Sequence, residues 1–343
     1  MIPWGGKSAL IIIHVVNMEV DMLHLKLLGA GEARYFDRAL DGFPYQQPFL
    51  LLCYLLINKV KPHHRESLAA VFWGDYPTFT ARKYLRNTLY RLRSRFDSVG
   101  LEIGKLLSIT EETISFVDTC PYWLDVECFE TITSHYLSYQ VANLLPEQAD
   151  ELVKGVELYK GDLLEGVYDD WCLYDRERLR LTYLEALHKL MLYSTIHNDY
   201  EQGLQYGERI LKLDPTREKV HRQMMVLHWL AGDSPAALAQ YKRCFQILHE
   251  EMDSQPMAET QLLYEKMAHN QFEPHLTPDG HIFSPASETT KGYPAKDLEL
   301  ILRCLDHLQE SATQISNDVQ QVQKQIRLML STKYLERRQG DNS

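Results

Sequence analysis

Long apolar runs are missing from this 343-residue chain. A bilayer-spanning helix needs about 20 consecutive apolar residues, and the longest run here, at 9–16, is interrupted by His14. Lys7 precedes that run as in a secretory leader, but no small-residue cleavage site follows it, so a cytoplasmic protein with no membrane partner is expected. Residues 1–22 read as an N-terminal extension, with Met18 or Met22 as the start, because a strand pattern begins at Leu23. Patterned cysteine is missing too. Cys53, Cys120, Cys128, Cys172, Cys244 and Cys304 are scattered, with no C-x-x-C pair and no His-x₃₋₅-His partner. A zinc site or disulfide framework needs closer spacing, so no metal is expected and the thiols are read as reduced.

Catalytic constellations are equally scarce. Gly6-Lys7-Ser8 lacks the preceding glycine of a phosphate-binding loop, whose place is taken by Met1. His63-His64 sits at a turn, where a solvated pair outweighs a ligand pair, and no Ser-His-Asp order or carboxylate pair stands out. The chain is therefore expected to be no enzyme and to hold no cofactor. Positive charge in bulk is also absent, since the net charge is −11.

That average conceals an asymmetry. Residues 59–95 carry nine Lys or Arg (Lys59, Lys61, Arg65, Arg82, Lys83, Arg86, Arg91, Arg93, Arg95) against Glu66 and Asp75, so the window is +7 and the remainder −18. A basic block inside an acidic protein is the electrostatic footprint of a localised anion-binding face. With 45% apolar and 24% charged residues, the composition is that of a globular protein.

The patterning around the block is that of a winged helix. A strand, Leu23-His24-Leu25-Lys26-Leu27-Leu28, precedes a helix apolar nearly all round, Phe49-Leu50-Leu51-Leu52-Cys53-Tyr54-Leu55-Leu56-Ile57, which is read as buried. A short helix over Arg65–Trp73 stops at Gly74. Next, over 81–96, apolar positions 81, 85, 89, 92 and 96 step by four, four, three and four, a helical stripe, with Thr78 or Thr80 as the expected cap. The opposite face carries Lys83, Arg86, Asn87, Tyr90 and Ser94, flanked by Arg82 and Arg93 on one side and Arg91 on the other. Arg reads guanine edges, Asn reads adenine, and the remaining cations hold phosphates, so double-stranded DNA is the expected partner of these eight residues. A merely solvated face mixes signs to gain i,i+4 pairs, whereas six basic residues share this helix with Asp97 alone. Two β-rich runs, Leu106-Leu107-Ser108-Ile109-Thr110 and Thr113-Ile114-Ser115-Phe116-Val117, then form a hairpin whose Glu111-Glu112 tip is a poor phosphate contact.

Strand, three helices and hairpin resemble the OmpR/PhoB-type winged helix, in the variant of the bacterial antibiotic-regulator (SARP) family. The family's L-R-x-x-L-x-R-L-R helix appears as Leu85-Arg86-Asn87-Thr88-Leu89-Tyr90-Arg91-Leu92-Arg93, and its L-D-V-x-x-F-E junction as Leu124-Asp125-Val126-Glu127-Cys128-Phe129-Glu130. The Gly-Tyr common in the family's wing is lacking.

Residues 119–270 read as a helical repeat domain behind a winged helix-turn-helix at 23–118. Asn198-Asp199-Tyr200-Glu201-Gln202-Gly203-Leu204 is echoed by Gly232-Asp233-Ser234-Pro235-Ala236-Ala237-Leu238, offset by 34, the tetratricopeptide period. Gly203 and Ala237 fall where paired helices approach closely. The flanks resemble the same family's bacterial transcriptional activation domain. Tyr159-Lys160-Gly161-Asp162-Leu163-Leu164-Glu165-Gly166, Trp171 and Glu177-Arg178-Leu179-Arg180-Leu181 match its opening, and Leu248-His249-Glu250-Glu251, Pro256, Thr260 and Leu263-Tyr264-Glu265 match its close, with Met252-Asp253 replacing a common Leu-Gly. The resemblance implies self-association or contact with RNA polymerase holoenzyme, direct-repeat sites upstream of a promoter, and activation.

Pro274, Pro278, Pro285 and Pro294 mark residues 271–296 as a linker. Leu298, Ile301, Leu305, Leu308, Ala312, Ile315, Val319, Val322, Ile326 and Met329 then alternate three and four steps apart. Such an a/d seam predicts a coiled coil at 297–338 that makes a homo-oligomer; one amphipathic helix folded onto the middle domain is the alternative. The expected architecture is thus mainly α with a small β component: winged helix-turn-helix, tetratricopeptide-like domain, coiled coil. The expected function is a sequence-specific DNA-binding regulator. A protein-interaction scaffold using the winged helix as a docking module, or a ligand-sensing adaptor, is the rival reading.

Overall fold

The computed structural model describes residues 22–274. The extension before residue 22, the linker beyond residue 274 and the seam at 298–329 lie outside the described residues.

Alternation builds the first sheet. In β1 (Leu23–Lys26) Leu23 and Leu25 are buried while His24 and Lys26 face out. β1 pairs antiparallel with β2 (Glu32–Tyr35), which pairs with β3 (Arg38–Ala39). The fold is mainly helical from there. α1 (Gln47–Ile57), opened by Pro48, buries Phe49, Leu50, Leu51, Leu52, Cys53, Leu55 and Leu56, as its all-round apolar pattern requires. β4 (His63–His64) leads into α2 (Arg65–Trp73), and α3 (Thr78–Val99) follows.

The α3 stripe lands where its spacing places it: Ala81, Leu85, Leu89, Leu92 and Phe96 are all buried, joined by Thr88. Its start differs from the expected threonine cap. Pro77, at φ −53° and ψ 142°, is the cap residue, and its carbonyl takes the amides of Thr80 and Ala81. Proline pre-sets φ for the entry into the helix, and no side chain caps this end. At the far end Gly100 adopts φ 87°, the left-handed conformation that closes a helix. β5 (Leu107–Ile109) and β6 (Thr113–Phe116) form the wing hairpin, and β6 also pairs with β4.

β7 (Tyr122–Leu124) returns to the first sheet and pairs parallel with β1, giving the order β3-β2-β1-β7. The N-terminal sheet therefore draws a strand from beyond residue 118. The helices α4 (Asp125–Leu137), α5 (Pro146–Leu158), α6 (Asp170–Ile196), α7 (Tyr200–Leu213), α8 (Glu218–Leu230), α9 (Ser234–Met252) and α10 (Ala258–Ala268) complete the described chain.

The 34-residue echo has a physical counterpart. Asn198 (φ 60°) and Gly232 (φ 82°) occupy equivalent left-handed positions. The next residues, Asp199 and Asp233, each cap a helix by accepting an amide, from Gln202 and Ala236 respectively. A Cβ at Gly203 would sit 3.1 Å from Leu227 Cδ1, so a larger residue there would push α7 away from α8. Ala237 is fully buried at the matching position.

One hydrophobic core runs from Leu23 and Leu25 through α1 and α3 to Leu184, Leu187 and Leu227; a smaller cluster joins Met225, Val226, Ala237, Leu263, Met267 and Phe272. The winged helix and the first helices behind it share apolar interior, so neither is a bead on a flexible string.

Candidate nucleic-acid interface

α3 presents the polar face that its sequence lays out. Arg82, Lys83, Arg86, Asn87, Tyr90, Arg91, Arg93 and Ser94 are all exposed, Tyr90 by 75%. Among the described residues, the side chains of Lys83, Arg86, Asn87, Tyr90, Arg91, Arg93 and Ser94 make no hydrogen bond or ion pair. Arg82 is the exception, paired with Glu66 of α2.

Lys61 aside, the remainder of the basic block is committed to holding the domain together. Lys59 Nζ lies 2.5 Å from Glu127 Oε1 and donates to Tyr122 Oη at 2.7 Å, tying the end of α1 to β7 and α4. Arg65 donates from Nε to the Thr110 carbonyl at 2.9 Å, and its amide donates to the Glu112 carbonyl at 2.9 Å. Arg95 reaches Gln46 Oε1 at 3.1 Å. Within the block, the cations without a partner among the described residues therefore concentrate on α3.

Between α2, α3 and the wing lies a cleft of about 760 Å³, bordered by Arg65, Glu66, Arg82, Arg86, Glu111 and Glu112 with Phe79 and Leu85. The acidic wing tip thus shares a cleft with the basic helix. A second groove, of about 750 Å³, lies among α6, α8 and the end of α9, with Leu181, Leu184, Val220, Leu248 and Met252 beside Glu218 and Arg222. Arg222 stands 3.6 Å from Glu218 and 3.2 Å from Glu259, so its charge is matched within the protein.

What fixes α3 relative to the helices behind it is a joint that patterning does not reveal. Asp125, first residue of α4 and nearly fully buried, accepts the amides of Leu27 (2.8 Å), Leu28 (2.9 Å) and Val126 (2.8 Å). Burial pushes its carboxyl up to about 6, against the pull of those three donors. The segment after α5 docks on the same strand end: Leu164 N–H donates to Leu27 O at 2.7 Å, and Gly29 N–H to Asp162 O at 3.0 Å. Arg176 then pins this segment, donating to the carbonyls of Leu163, Leu164 and Val167 at 2.9, 3.1 and 2.6 Å. Trp171 wedges against the winged helix, edge-on to Tyr54 at 5.4 Å and tilted against Phe72 at 5.9 Å. The signals were present as Leu124-Asp125-Val126 and Trp171, but nothing in their spacing says that they form a joint.

The five described cysteines are all buried, and burial raises the thiols of Cys53, Cys128, Cys172 and Cys244, keeping them protonated. No helix of the described residues is long and apolar enough to cross a membrane.

Against known families, residues 124–267 match the bacterial transcriptional activator domain. No curated protein matches the chain at a significant level. Among solved structures it is similar to Mycobacterium tuberculosis EmbR in complex with a low affinity phosphopeptide, with a TM-score of 0.55 and 17% identity. That likeness covers 73% of this chain and 66% of the other, just under two thirds, and at this identity it is a likeness of fold. The chain thus joins a winged helix to a helical region that matches the bacterial transcriptional activator domain, in that order along the sequence.

Proposed function

We propose that this protein is a sequence-specific DNA-binding transcriptional activator whose α3 enters the major groove. The observation that carries the reading is the row of unpartnered cations on α3, Lys83, Arg86, Arg91 and Arg93, interleaved with Asn87, Tyr90 and Ser94. On this reading Arg86 and Asn87 would read base edges, and the flanking cations would hold phosphates. The match to the activator domain supports contact with RNA polymerase holoenzyme through the helical domain. The heptad seam at Leu298, Ile301, Leu305, Leu308, Ile315, Val319, Val322 and Ile326 supports a homo-oligomer. Two copies of α3 would then read direct-repeat promoter sites spaced by about one turn, roughly 10 bp, or a multiple of it. Such a protein works in the cytoplasm and performs no catalysis of its own.

The test is a gel-shift titration at two salt concentrations, with DNA from upstream of the gene and its neighbours against unrelated DNA of equal length. Affinity that prefers one fragment, falls steeply with salt and disappears in Arg86→Glu is the expected result. Binding retained by that variant would overturn the assignment of α3. A folded oligomer with no DNA preference at low salt would favour the rival reading, a protein-interaction scaffold or ligand-sensing adaptor using the groove beside Leu181 and Met252.

A further inference from the structure

The wing tip of this protein carries the wrong charge for a phosphate contact, and it is held rigidly beside the basic helix. Thr110 Oγ1 accepts the amides of Thr113 at 2.9 Å and Glu112 at 3.3 Å, closing the turn over itself. Arg65 clamps the same turn to the start of α2 through the Thr110 and Glu112 carbonyls. Glu111 and Glu112 are exposed and border the cleft that Arg82 and Arg86 line from the other side. Neither glutamate has a cationic partner within salt-bridge distance among the described residues. With Arg82 already matched by Glu66, three cations (Arg65, Arg82, Arg86) face three carboxylates (Glu66, Glu111, Glu112) around the cleft. Farther along α3, Arg91 and Arg93 meet no such opposition.

A charge pattern of this kind acts on specificity. A backbone phosphate approaching the cleft from the wing side meets two carboxylates carried on a tied turn, whereas one approaching the C-terminal half of α3 meets arginines with no carboxylate partner among the described residues. Repulsion built against wrong poses lowers their affinity without adding a contact to the right one. We infer that Glu111 and Glu112 are specificity-determining residues that repel the DNA backbone on the wing side and so suppress sequence-independent binding. The inference rests on α3 being the DNA-reading helix. It accounts for a wing whose turn is firmly built yet whose tip is acidic.

The experiment measures binding of the full chain to a 30-base-pair duplex of random sequence by fluorescence anisotropy, at low and at moderate salt. Four proteins are compared: the native chain, E111Q/E112Q, a remote pair E201Q/E250Q that removes the same charge from α7 and α9, and R86E. The wing turn is held by Thr110 and by backbone groups, so the Gln pair leaves the hairpin formed, which circular dichroism checks. We expect E111Q/E112Q to bind the random duplex about tenfold tighter at low salt, with the gain shrinking as salt screens the lost repulsion, and the remote pair to change affinity less than twofold. If R86E still weakens a salt-dependent native affinity while the two Gln pairs behave alike, the inference fails and the α3 reading stands. If native binding is insensitive both to salt and to R86E, the α3 reading itself fails and takes the inference with it.

Discussion

Arginine is used in two opposite ways in this molecule. In the helical domain each of the seven described arginines is matched inside the protein. Arg176 holds three carbonyls, Arg178 meets Glu130 and Asp175, and Arg180 reaches Glu177 and the Leu213 carbonyl. Arg209 meets Glu157, Arg217 meets Asp214, Arg222 meets Glu218, and Arg243 meets Glu208. On α3, by contrast, Arg86, Arg91 and Arg93 have no partner among the described residues. The matched arginines are mostly half-buried, Arg243 excepted, whereas those of α3 are exposed, so exposure and partnering differ together. An exposed ion pair contributes at most about 1 kcal/mol to folding, and a helix that forgoes such pairs along one face leaves its cations available to an external anion. The contrast separates cations that build the protein from cations that await a ligand.

The sharpest way to break that contrast is to reverse charge in each region. R86E/R93E should lower affinity for duplex DNA by about a thousandfold, or ~4 kcal/mol, while urea unfolding moves by no more than ~0.5 kcal/mol, since no internal partner is lost. R178E/R243E should do the reverse, leaving DNA affinity nearly unchanged and lowering stability, because Glu130, Asp175 and Glu208 would each face a like charge. Equal effects of the two pairs on DNA affinity would show that net charge, and not its placement on α3, governs binding.

The joint between the two regions carries the next effect, and it has a sign. Burial raises the folded-state carboxyl of Asp125 to about 6, above the ordinary aspartate value of 3.8. The folded protein therefore holds this proton more tightly than the unfolded chain does. The resulting stabilisation is fully present below pH 3.8 and is lost as pH rises through about 6. Relative to Asp125→Asn, which does not titrate, the native chain should gain about 2 kcal/mol between pH 7.5 and pH 4.5. Urea titrations of both proteins at the two pH values measure it, and parallel curves would mean that the three amide donors, not burial, set the carboxyl.

Within the same joint, Arg176→Ala strips three carbonyls of a charged donor at once. A loss between about 1 and 2 kcal/mol is expected, since these half-buried carbonyls regain part of their hydration. Hydrogen exchange should speed up first at the amides of Leu164 and Glu165, which bond to Leu27 and Gly29 of the winged helix. DNA affinity would fall with it only if the helical domain must stay docked for α3 to read its site.

Much of α3 was legible in the sequence because a helix is a local object. Five apolar positions spaced by three or four fixed the buried side, and the polar face followed by geometry. The 34-residue echo was legible for a similar reason, since Asp199 and Asp233 cap their helices through residues only three positions ahead. The joint was not legible. Asp125 meets Leu27 across 98 positions, and β7 reaches β1 from equally far along the chain. No periodicity announces such pairings. The division of the basic block was hidden in the same way: Lys59 looks like Lys83 in a charge count, and only the fold places Glu127 beside the first.

Trp171 offers the finest probe of the joint. Its ring meets Tyr54 and Phe72, but its buried indole N–H has no acceptor among the described residues. A buried donor without an acceptor costs free energy, so the ring and the N–H pull in opposite directions. Trp171→Phe keeps an aromatic edge against Tyr54 while deleting the orphan donor, at the expense of some buried ring area. The two changes should nearly cancel, leaving stability within ~1 kcal/mol of the native value in urea titrations. A loss well beyond that would mean that the indole N–H does find an acceptor in solution, and that the joint is held by polar contact as well as by aromatic packing.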